Sequence, residues 1–345
     1  MAMSWRAAEP AWPSIFPGPQ PPPPLEACNK RSQAWLLLLF VIALLPLPSQ
    51  AQGIDGRVLL AFHACDVQPC ESPTRHEVYL AQSRSGQRFE IVPGWTPYPG
   101  SVPEVVRRGE QVYVFTTRQV RRASVHASTW PSPVPLVVHD EAGTVVQGVD
   151  PSAIVVDGQL WLYLLEGAPG QDPARCPRDT TTCERRILLA REDPGSDGSS
   201  FTLDPQPTLS VTVDPSWPTA SDPEVLAAPG GGFVLLLSRG MAVESFVSSR
   251  PDGPWQRSGI IVEQGIGGVP SAVAWRRRFL TYVASRVEGV AAIRRAVVAS
   301  LTSPIPRSRF HTIYPGIWGR VLVSSPSIAL NEPGPPSTAA ATAGP

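Results

Sequence analysis

Five short segments of the sequence share the pattern X-Pro-Ser/Glu-apolar-apolar, and two positions of this pattern carry side chains that could do chemistry. Position X is occupied by Val102, Asp150, Asp222, Val269 and Ser325. Two residues later, on the same side of a strand, stand Glu104, Ser152, Glu224, Ser271 and Ser327. The four carboxylates in these two sets could serve as a general acid, a general base or an orienting group.

These carboxylates also have a structural interpretation. Asp-Pro and Ser-Pro commonly begin strands, where the side-chain oxygen caps nearby backbone amides. If the five segments meet around one axis, several carboxylates converge in a confined funnel, and this favours catalysis or binding. The candidate catalytic residues are therefore Asp150, Asp222, Glu224 and Glu104.

The spacing of the five segments indicates the elements that position them. They recur at intervals of 47 to 72 residues, and a turn and a second β-rich run follow each of the first four, at 112–117, 160–165, 233–238 and 279–285. Third strands are expected at 77–83, 122–128, 187–191 and 243–249. A unit of about four strands at this period is typical of a β-propeller blade. Residues 287–300 have a helix-like composition, but the repeat requires a strand there.

The first unit begins directly with a second-strand run at 58–62, whereas the segment at Ser325 has no hairpin partner after it. We therefore expect residues 325–330 to supply the innermost strand of the first blade, which closes the ring and removes its open edges. The sequence predicts an all-β fold, a five-bladed β-propeller over residues 52–330. Residues 331–345 form a Pro/Ala/Thr tail that we expect to be disordered.

The N-terminal region has the features of an export signal. Lys30 and Arg31 precede an apolar run at 34–47 and the small-residue pattern Ser49-Gln50-Ala51. The run is too short and too interrupted by proline to span a membrane. Residues 1–51 are therefore predicted to be a Pro-rich n-region and signal peptide. The mature protein is expected to be secreted or periplasmic, without stable membrane insertion.

Charge and motif content exclude several classes of function. Lys and Arg number 29 against 29 Asp and Glu, so the net charge of zero disfavours a general nucleic-acid binder. The sequence has no Gly-rich phosphate loop, and its five histidines lack metal-ligand spacing. We expect a monomer with neither a cofactor nor a metal ion.

Four cysteines follow the export signal as two close pairs, Cys65 with Cys70 and Cys176 with Cys183. In an exported chain such pairs favour two local disulfides, although four cysteines allow three connectivities. Zinc is disfavoured because neither pair has the two-residue spacing of a zinc knuckle. Both pairs lie in loops between the second and third strands of a blade, on the face where the X-Pro strands begin.

Aromatic and basic residues near the same face could bind a ligand. Trp95, Trp217 and Trp318 each precede an X-Pro strand by six to eight residues, and flat aromatic faces suit sugar rings. Their alternative role is core packing between blades. Arg118, Arg239 and Arg286 each follow Ser or Thr at the end of a second strand, where they could bind a carboxylate or sulfate or form a solvated rim.

The chain resembles the five-bladed propeller glycoside hydrolases of the arabinanase and xylosidase type, glycoside hydrolase family 43. Residues 150–163 look like the third-blade element of that family, which carries the Asp that orients and tunes the general acid. Val102-Pro103-Glu104 occupies the place of its second-blade Ala-Pro element. Ala220-Ser221-Asp222-Pro223 occupies the place of its fourth-blade Glu-Gly-Pro, which supplies the acid. The resemblance implies Asp222 or Glu224 as acid and Asp150 as orienting group.

This chain differs from the family at the position of the general base. The family has an Asp on the innermost strand of the first blade, where this chain has Ser325; Glu104, Asp66 and Glu166 are candidate substitutes. Two hypotheses follow. The chain is an exported glycoside hydrolase-like propeller that acts on a glycan in its central funnel, or it is a non-catalytic propeller that binds a glycan or another protein.

Overall fold

The computed structural model describes residues 53–65, 70, 73–167, 176, 180–313 and 322–331. Within these ranges the regular elements are strands and two 3₁₀ turns, Pro73–Arg75 and Arg307–Arg309. No helix in the described ranges has the length and apolar character needed to cross a membrane. The predicted signal peptide, most of the predicted tail, Asp66 and Trp318 lie outside the described residues.

The strands form five sheets, which are the five blades of a propeller. Blade 1 contains β1 (Val58–Cys65), β2 (Glu77–Ser83), β3 (Glu90–Ile91), β4 (Tyr98–Pro99) and β23 (Leu322–Leu330). Blade 2 contains β5 (Glu104–Arg108), β6 (Gln111–Thr116), β7 (Gln119–Ser124) and β8 (Val134–Pro135). Blade 3 contains β9 (Val137–His139), β10 (Gly148–Val156), β11 (Gln159–Glu166), β12 (Cys183–Glu192), β13 (Ser200–Leu203) and β14 (Leu209–Val213). Blade 4 contains β15 (Ser221–Ala227), β16 (Phe233–Ser238), β17 (Val243–Ser248) and β18 (Gln256–Val262), and blade 5 contains β19 (Gly268–Trp275), β20 (Arg278–Val287), β21 (Val290–Val298) and β22 (His311–Ile313).

The predicted five-bladed propeller and its ring closure are confirmed. The C-terminal strand β23 pairs antiparallel with β1, with Ala61 opposite Ser327 and Val58 opposite Leu330. The helix-like stretch at 287–300 is also confirmed as β structure, because β20 and β21 pair along their whole length and turn at Glu288-Gly289. The last strand, β23, is therefore the innermost strand of blade 1, the blade to which β1 belongs.

The hydrophobic core lies between neighbouring blades. Alternate residues of β1 point to opposite neighbours: Leu59 packs with residues of blade 2 such as Val112, while Leu60 packs with residues of blade 5 such as Leu280. Every residue of β1 is therefore buried. Strands that are covered on both faces read as continuous apolar runs, which explains the uninterrupted apolar runs in the sequence.

Each innermost strand begins with the same backbone distortion. The five X residues adopt left-handed φ angles: Val102 +48°, Asp150 +53°, Asp222 +48°, Val269 +49° and Ser325 +50°. Strand pairing shifts register beside four of them, as expected for β-bulges. A left-handed backbone is strained for residues with a Cβ, most of all for β-branched valine. Such strain clusters at functional sites. We name this end of the five innermost strands the channel mouth.

Both predicted disulfides form and lie on the channel-mouth face. Cys65 bonds Cys70 and Cys176 bonds Cys183, with Cα–Cα distances of 5.9 and 5.5 Å. Cys65 pairs opposite Leu322 at the start of β23, and Cys183 begins β12, shortly before Ile187 pairs with Leu165 near the end of β11. The predicted pairing and its side of the ring are therefore confirmed.

Candidate functional site at the channel mouth

A closed ring of hydrogen bonds lies one layer inside the channel mouth. In every blade, the side chain two residues after X accepts the backbone N–H of the residue that lies three after X in a neighbouring blade. The bonds run from Val105 N to Ser327 Oγ (2.8 Å), Ala153 N to Glu104 Oε1 (3.0 Å), Val225 N to Ser152 Oγ (2.9 Å), Ala272 N to Glu224 Oε1 (3.1 Å) and Ile328 N to Ser271 Oγ (2.9 Å). This side-chain ring ties each innermost strand to the next.

Within the side-chain ring, the serine hydroxyls also donate to the two glutamates. Ser327 donates to Glu104 Oε2 at 2.5 Å, and Ser271 donates to Glu224 Oε1 at 2.7 Å. Both glutamates are only 5% exposed. Burial raises the pKa of Glu224 to about 7. Burial, followed by the nearby charge of Glu224, holds the pKa of Glu104 well above its usual range. The carboxyls of Glu104 and Glu224 are thus engaged in joining the blades.

Ser271→Ala is expected to destabilise the propeller because it removes both hydrogen bonds of one ring member. The Ile328 N–H would stay buried without its acceptor, and Glu224 would lose a donor. Leaving a buried polar group unpaired costs about 1–3 kcal/mol. Urea unfolding compared with Ser303→Ala, a change at an exposed serine, measures this. Equal unfolding free energies for the two variants would contradict the role of the ring.

The outer layer of the channel mouth brings Asp150 and Asp222 together. The backbone N–H of Asp222 donates to Asp150 Oδ2 at 3.3 Å, and both residues are partly exposed. Burial raises the pKa of the Asp222 carboxyl to about 6, against the opposing effect of a hydrogen bond from Ser221. Asp222 can therefore exchange a proton near neutral pH, while Asp150 fixes the start of β15.

The cap that Asp150 provides has counterparts in two other blades. The N–H of Val102 donates to His63 Nδ1 at 3.1 Å, and the N–H of Val269 donates to Ser238 Oγ at 3.1 Å. In each case, a side chain of the preceding blade holds the amide of the strained X residue. Asp150 therefore has the amide-capping role that the sequence analysis gave as its structural interpretation, and the amide that it caps belongs to Asp222.

A buried histidine pair, which the sequence analysis did not assign, supports the channel mouth at blades 1 and 2. His63 and His76 stack with ring centroids 4.2 Å apart. His76 contacts Ser101 Oγ at 2.9 Å and Cys70 O at 2.8 Å. Burial, and next the neighbouring His76, lower the pKa of His63 to about 3, so it stays neutral. The pair links Cys70 of the first disulfide to the backbone of Val102, which precedes β5. In the sequence, only the position of His63, two residues before Cys65, could have indicated a role near this disulfide.

No carboxylate stands at the position where the family resemblance implies a general base. Ser325 stands there and is buried. Of the candidate substitutes, Glu104 is bound in the side-chain ring. Glu166 is paired with Arg186, Nε to Oε2 at 2.7 Å. Asp66 lies outside the described residues. The described ranges also contain no group of three or more His, Cys, Asp or Glu side chains that could hold a metal ion.

The tryptophans occupy different environments. Trp95 is 7% exposed, lies 4.8 Å from Trp130 ring to ring, and donates from Nε1 to Val78 O at 3.1 Å. Arg121 covers its ring at 4.4 Å. These are the contacts of a core residue between blades 1 and 2. Trp217 is partly exposed in the loop before β15.

The three arginines do not form one uniform rim. Arg239 is 5% exposed, donates to Thr212 O at 2.8 Å and lies 5.8 Å from the Trp217 ring. Arg118 and Arg286 are exposed. Arg118 lines a cleft of about 440 Å³ between blades 2 and 3, together with Gly148 and Val149 at the start of β10. Only Arg118 and Arg286 therefore present their guanidinium groups at the surface.

Comparison with known proteins gives likeness of fold only. No known family matches the sequence, and no curated protein matches it. A GH43_1 enzyme from Xanthomonas citri is 17% identical, covering 76% of this chain and 89% of that one, with a TM-score of 0.48. A GH43 β-xylosidase/α-arabinofuranosidase from a compost metagenome, in complex with xylotriose, is 15% identical, covering 77% and 93%, with a TM-score of 0.49. An α-L-arabinanase from Cellvibrio cellulosa is 12% identical, covering 64% and 76%, with a TM-score of 0.41. By its own sheet topology the chain is a five-bladed β-propeller, and it is similar in fold to glycoside hydrolases of family 43.

Proposed function

We propose that the chain is an exported, glycoside hydrolase-like propeller that acts on a glycan at the channel mouth. The observation that carries the proposal is the pairing of Asp150 with Asp222. A carboxyl with a pKa of about 6 stands at a strained strand start, and a second carboxylate holds its backbone amide. Asp222 is the proton donor in this proposal, and Asp150 is its positioning residue.

The proposed chemistry is hydrolysis of a glycosidic bond. Asp222 gives its proton to the glycosidic oxygen as the bond to the anomeric carbon breaks. Water adds to that carbon from the opposite face and loses a proton to a general base, with the two carboxyls about 6.5–9.5 Å apart in inverting enzymes. Of the candidate bases, Glu104 is held in the side-chain ring and Glu166 pairs with Arg186, and Asp66 lies outside the described residues. The exposed Arg118 and Arg286 are proposed to contact the glycan.

Export is supported by two features of the chain. The basic pair Lys30-Arg31, the apolar run and the small residues up to Ala51 have the order of a signal peptide. The two disulfides are typical of proteins that mature in an oxidising compartment.

One observation favours a second candidate function, glycan binding without hydrolysis. The base position holds Ser325, and the side-chain ring engages both glutamates near the channel mouth. A propeller with this arrangement could keep a polar binding pocket while lacking the group that activates water.

The test is incubation of residues 52–345 with a panel of polysaccharides and aryl glycosides, followed by measurement of released reducing ends. The key variant is Asp150→Asn with Asp222→Asn. The matched control is Asp157→Asn, an exposed turn residue at the opposite end of β10. Release that disappears in the double variant and persists in the control supports hydrolysis.

The same panel separates the two candidates. No release, combined with retardation of the protein by one polysaccharide in an affinity gel, supports binding without hydrolysis. Neither release nor retardation contradicts both proposals. Melting curves of all variants must coincide, so that a loss of activity reports chemistry and not unfolding.

A further inference from the structure

The charge of this chain is distributed unevenly around the ring. Basic and acidic residues balance over the whole sequence. Residues 264–313, which include all four strands of blade 5, nevertheless contain eight arginines and a single acidic residue, Glu288. Glu288 lies in the turn between β20 and β21, at the channel-mouth end of the blade. The opposite end of blade 5 therefore carries arginines but no acidic residue from this segment.

Four exposed arginines form this basic surface, which we name the arginine patch: Arg276, Arg277, Arg278 and Arg309. The first three follow β19 at the end away from the channel mouth, and Arg309 ends a 3₁₀ turn beside them. None of the four forms an ion pair with any residue that the structure describes. Unpaired guanidinium groups in such a cluster repel one another and attract anions.

The turn that carries the arginine patch has a backbone unsuited to arginine. Arg276 and Arg277 adopt φ angles of +49° and +64° between the paired residues Trp275 and Arg278. Two-residue turns with two positive φ angles favour Asn-Gly or Asp-Gly. Blade 3 follows this rule at its equivalent turn, Asp157-Gly158. In blade 5, two arginines therefore occupy a turn backbone that Asn or Asp followed by Gly would adopt with less strain.

Two cavities adjoin the arginine patch, and their mostly apolar linings include several hydroxyl groups. A cavity of about 440 Å³ is lined by Arg278, Arg309, Ser300 and Ser303. A neighbouring cavity of about 520 Å³ is lined by Arg277, Thr302 and again Ser300. The two cavities share Ala299 and Ser300, so Arg277, Arg278 and Arg309 line adjoining cavities.

We propose that the arginine patch binds an acidic polysaccharide, one that carries carboxylate or sulfate groups, on the face opposite the channel mouth. Guanidinium groups pair with such oxyanions through two parallel hydrogen bonds, and the serine and threonine hydroxyls suit sugar hydroxyls. The proposal goes beyond the function proposed for the channel mouth and does not depend on it. It describes a second, anchoring surface of the same propeller.

A membrane is a poorer fit than a polysaccharide. Proteins that lie on anionic lipid surfaces combine basic side chains with apolar side chains that insert among the lipids. The exposed large hydrophobic residues of the described ranges lie elsewhere: Val134, Val137, Val145, Val155 and Val290. The arginine patch thus offers charge and several hydroxyl groups, and none of these exposed hydrophobic residues lines its two cavities.

Affinity gels that contain heparin or polygalacturonate test the proposal. The patch variant is Arg276→Asn with Arg277→Gly and Arg278→Gln, which removes three charges and gives the turn residues that prefer its backbone. The matched control, Arg84→Gln with Arg88→Gln and Arg250→Gln, removes three exposed charges outside the arginine patch. We expect retardation of the wild type at low salt, loss of retardation as salt rises, and at least a tenfold higher Kd for the patch variant only.

Other outcomes overturn the proposal. Equal weakening of the patch variant and the control would show an effect of net charge alone. Binding to anionic phosphatidylserine vesicles without binding to either polymer would indicate a membrane partner. A dimer that only the patch variant loses in sedimentation would indicate self-association. Asp222→Asn is expected to keep wild-type retardation, so a failure of the proposed glycan chemistry leaves this test unaffected.

Discussion

Asp222→Asn is expected to abolish glycan cleavage at the channel mouth, with a rate loss of about 10²- to 10⁴-fold, which is the usual contribution of a general acid. The amide has nearly the same shape as the carboxyl but cannot give a proton to the leaving oxygen. The backbone N–H that donates to Asp150 Oδ2 is unchanged by the substitution. Initial rates on a substrate cleaved by the wild type, together with melting curves, measure the effect.

The pH dependence of the rate provides an independent check. Cleavage requires protonated Asp222, and the pKa of this group is raised to about 6 by burial. The rate is therefore expected to fall as the pH rises through about 6. Asp222→Glu, which keeps a proton donor, should retain part of the activity, while Asp157→Asn should match the wild type. An Asp222→Asn variant that stays active, or an unchanged alkaline limb in that variant, would remove Asp222 from the mechanism.

Stability is expected to decrease as the pH rises, because Glu224 is more readily protonated in the folded chain than in the unfolded chain. Its pKa is raised from 4.5 to about 7 by burial. A raised folded-state pKa contributes stability that is complete below pH 4.5 and is lost as the pH rises through about 7. The shift corresponds to about 3 kcal/mol, or about 5 °C in Tm for a domain of this size.

Glu224→Gln tests this assignment. The amide oxygen can still accept the Ala272 N–H, which Glu224 accepts at 3.1 Å, but the side chain no longer titrates. We expect its Tm to exceed that of the wild type above pH 7 and to change less between pH 4.5 and 8. Glu110→Gln, at an exposed turn residue, is the control and should follow the wild type. A variant that loses as much stability with rising pH as the wild type would contradict the assignment to Glu224.

Much of the fold could be predicted from local sequence because strands and turns are encoded locally. The apolar runs that became β16 and β2 were predicted at the observed bounds, Phe233–Ser238 and Glu77–Ser83. The repeated X-Pro pattern located all five innermost strands. Ring closure could be predicted because the sequence has five X-Pro segments, and only the first four are followed by a second strand. The fifth segment could therefore pair only with the first blade. The disulfides followed from their short spacing.

The candidate site was predictable only in part because its contacts join residues distant in sequence. The pattern identified Asp150, Asp222, Glu104 and Glu224, but it could not assign their partners. Glu104 contacts Ser327, 223 residues away, and Asp150 holds an amide 72 residues away. The same spacing rule selected Trp95, which is buried in the core, and Trp217, which is partly exposed.

The sequence by itself determined the architecture of this protein: five blades, the closing strand, the two disulfides and the residues that converge on the channel. Periodicity, turn residues and cysteine spacing act over short distances, so they can be read from one chain. Only the tertiary structure decided which carboxylates join the blades and which stand beside a strained strand start. It also decided that Arg239 is buried while the arginine patch is exposed. Burial and hydrogen-bond partners depend on neighbouring blades, and these set both the pKa of a carboxyl and its role.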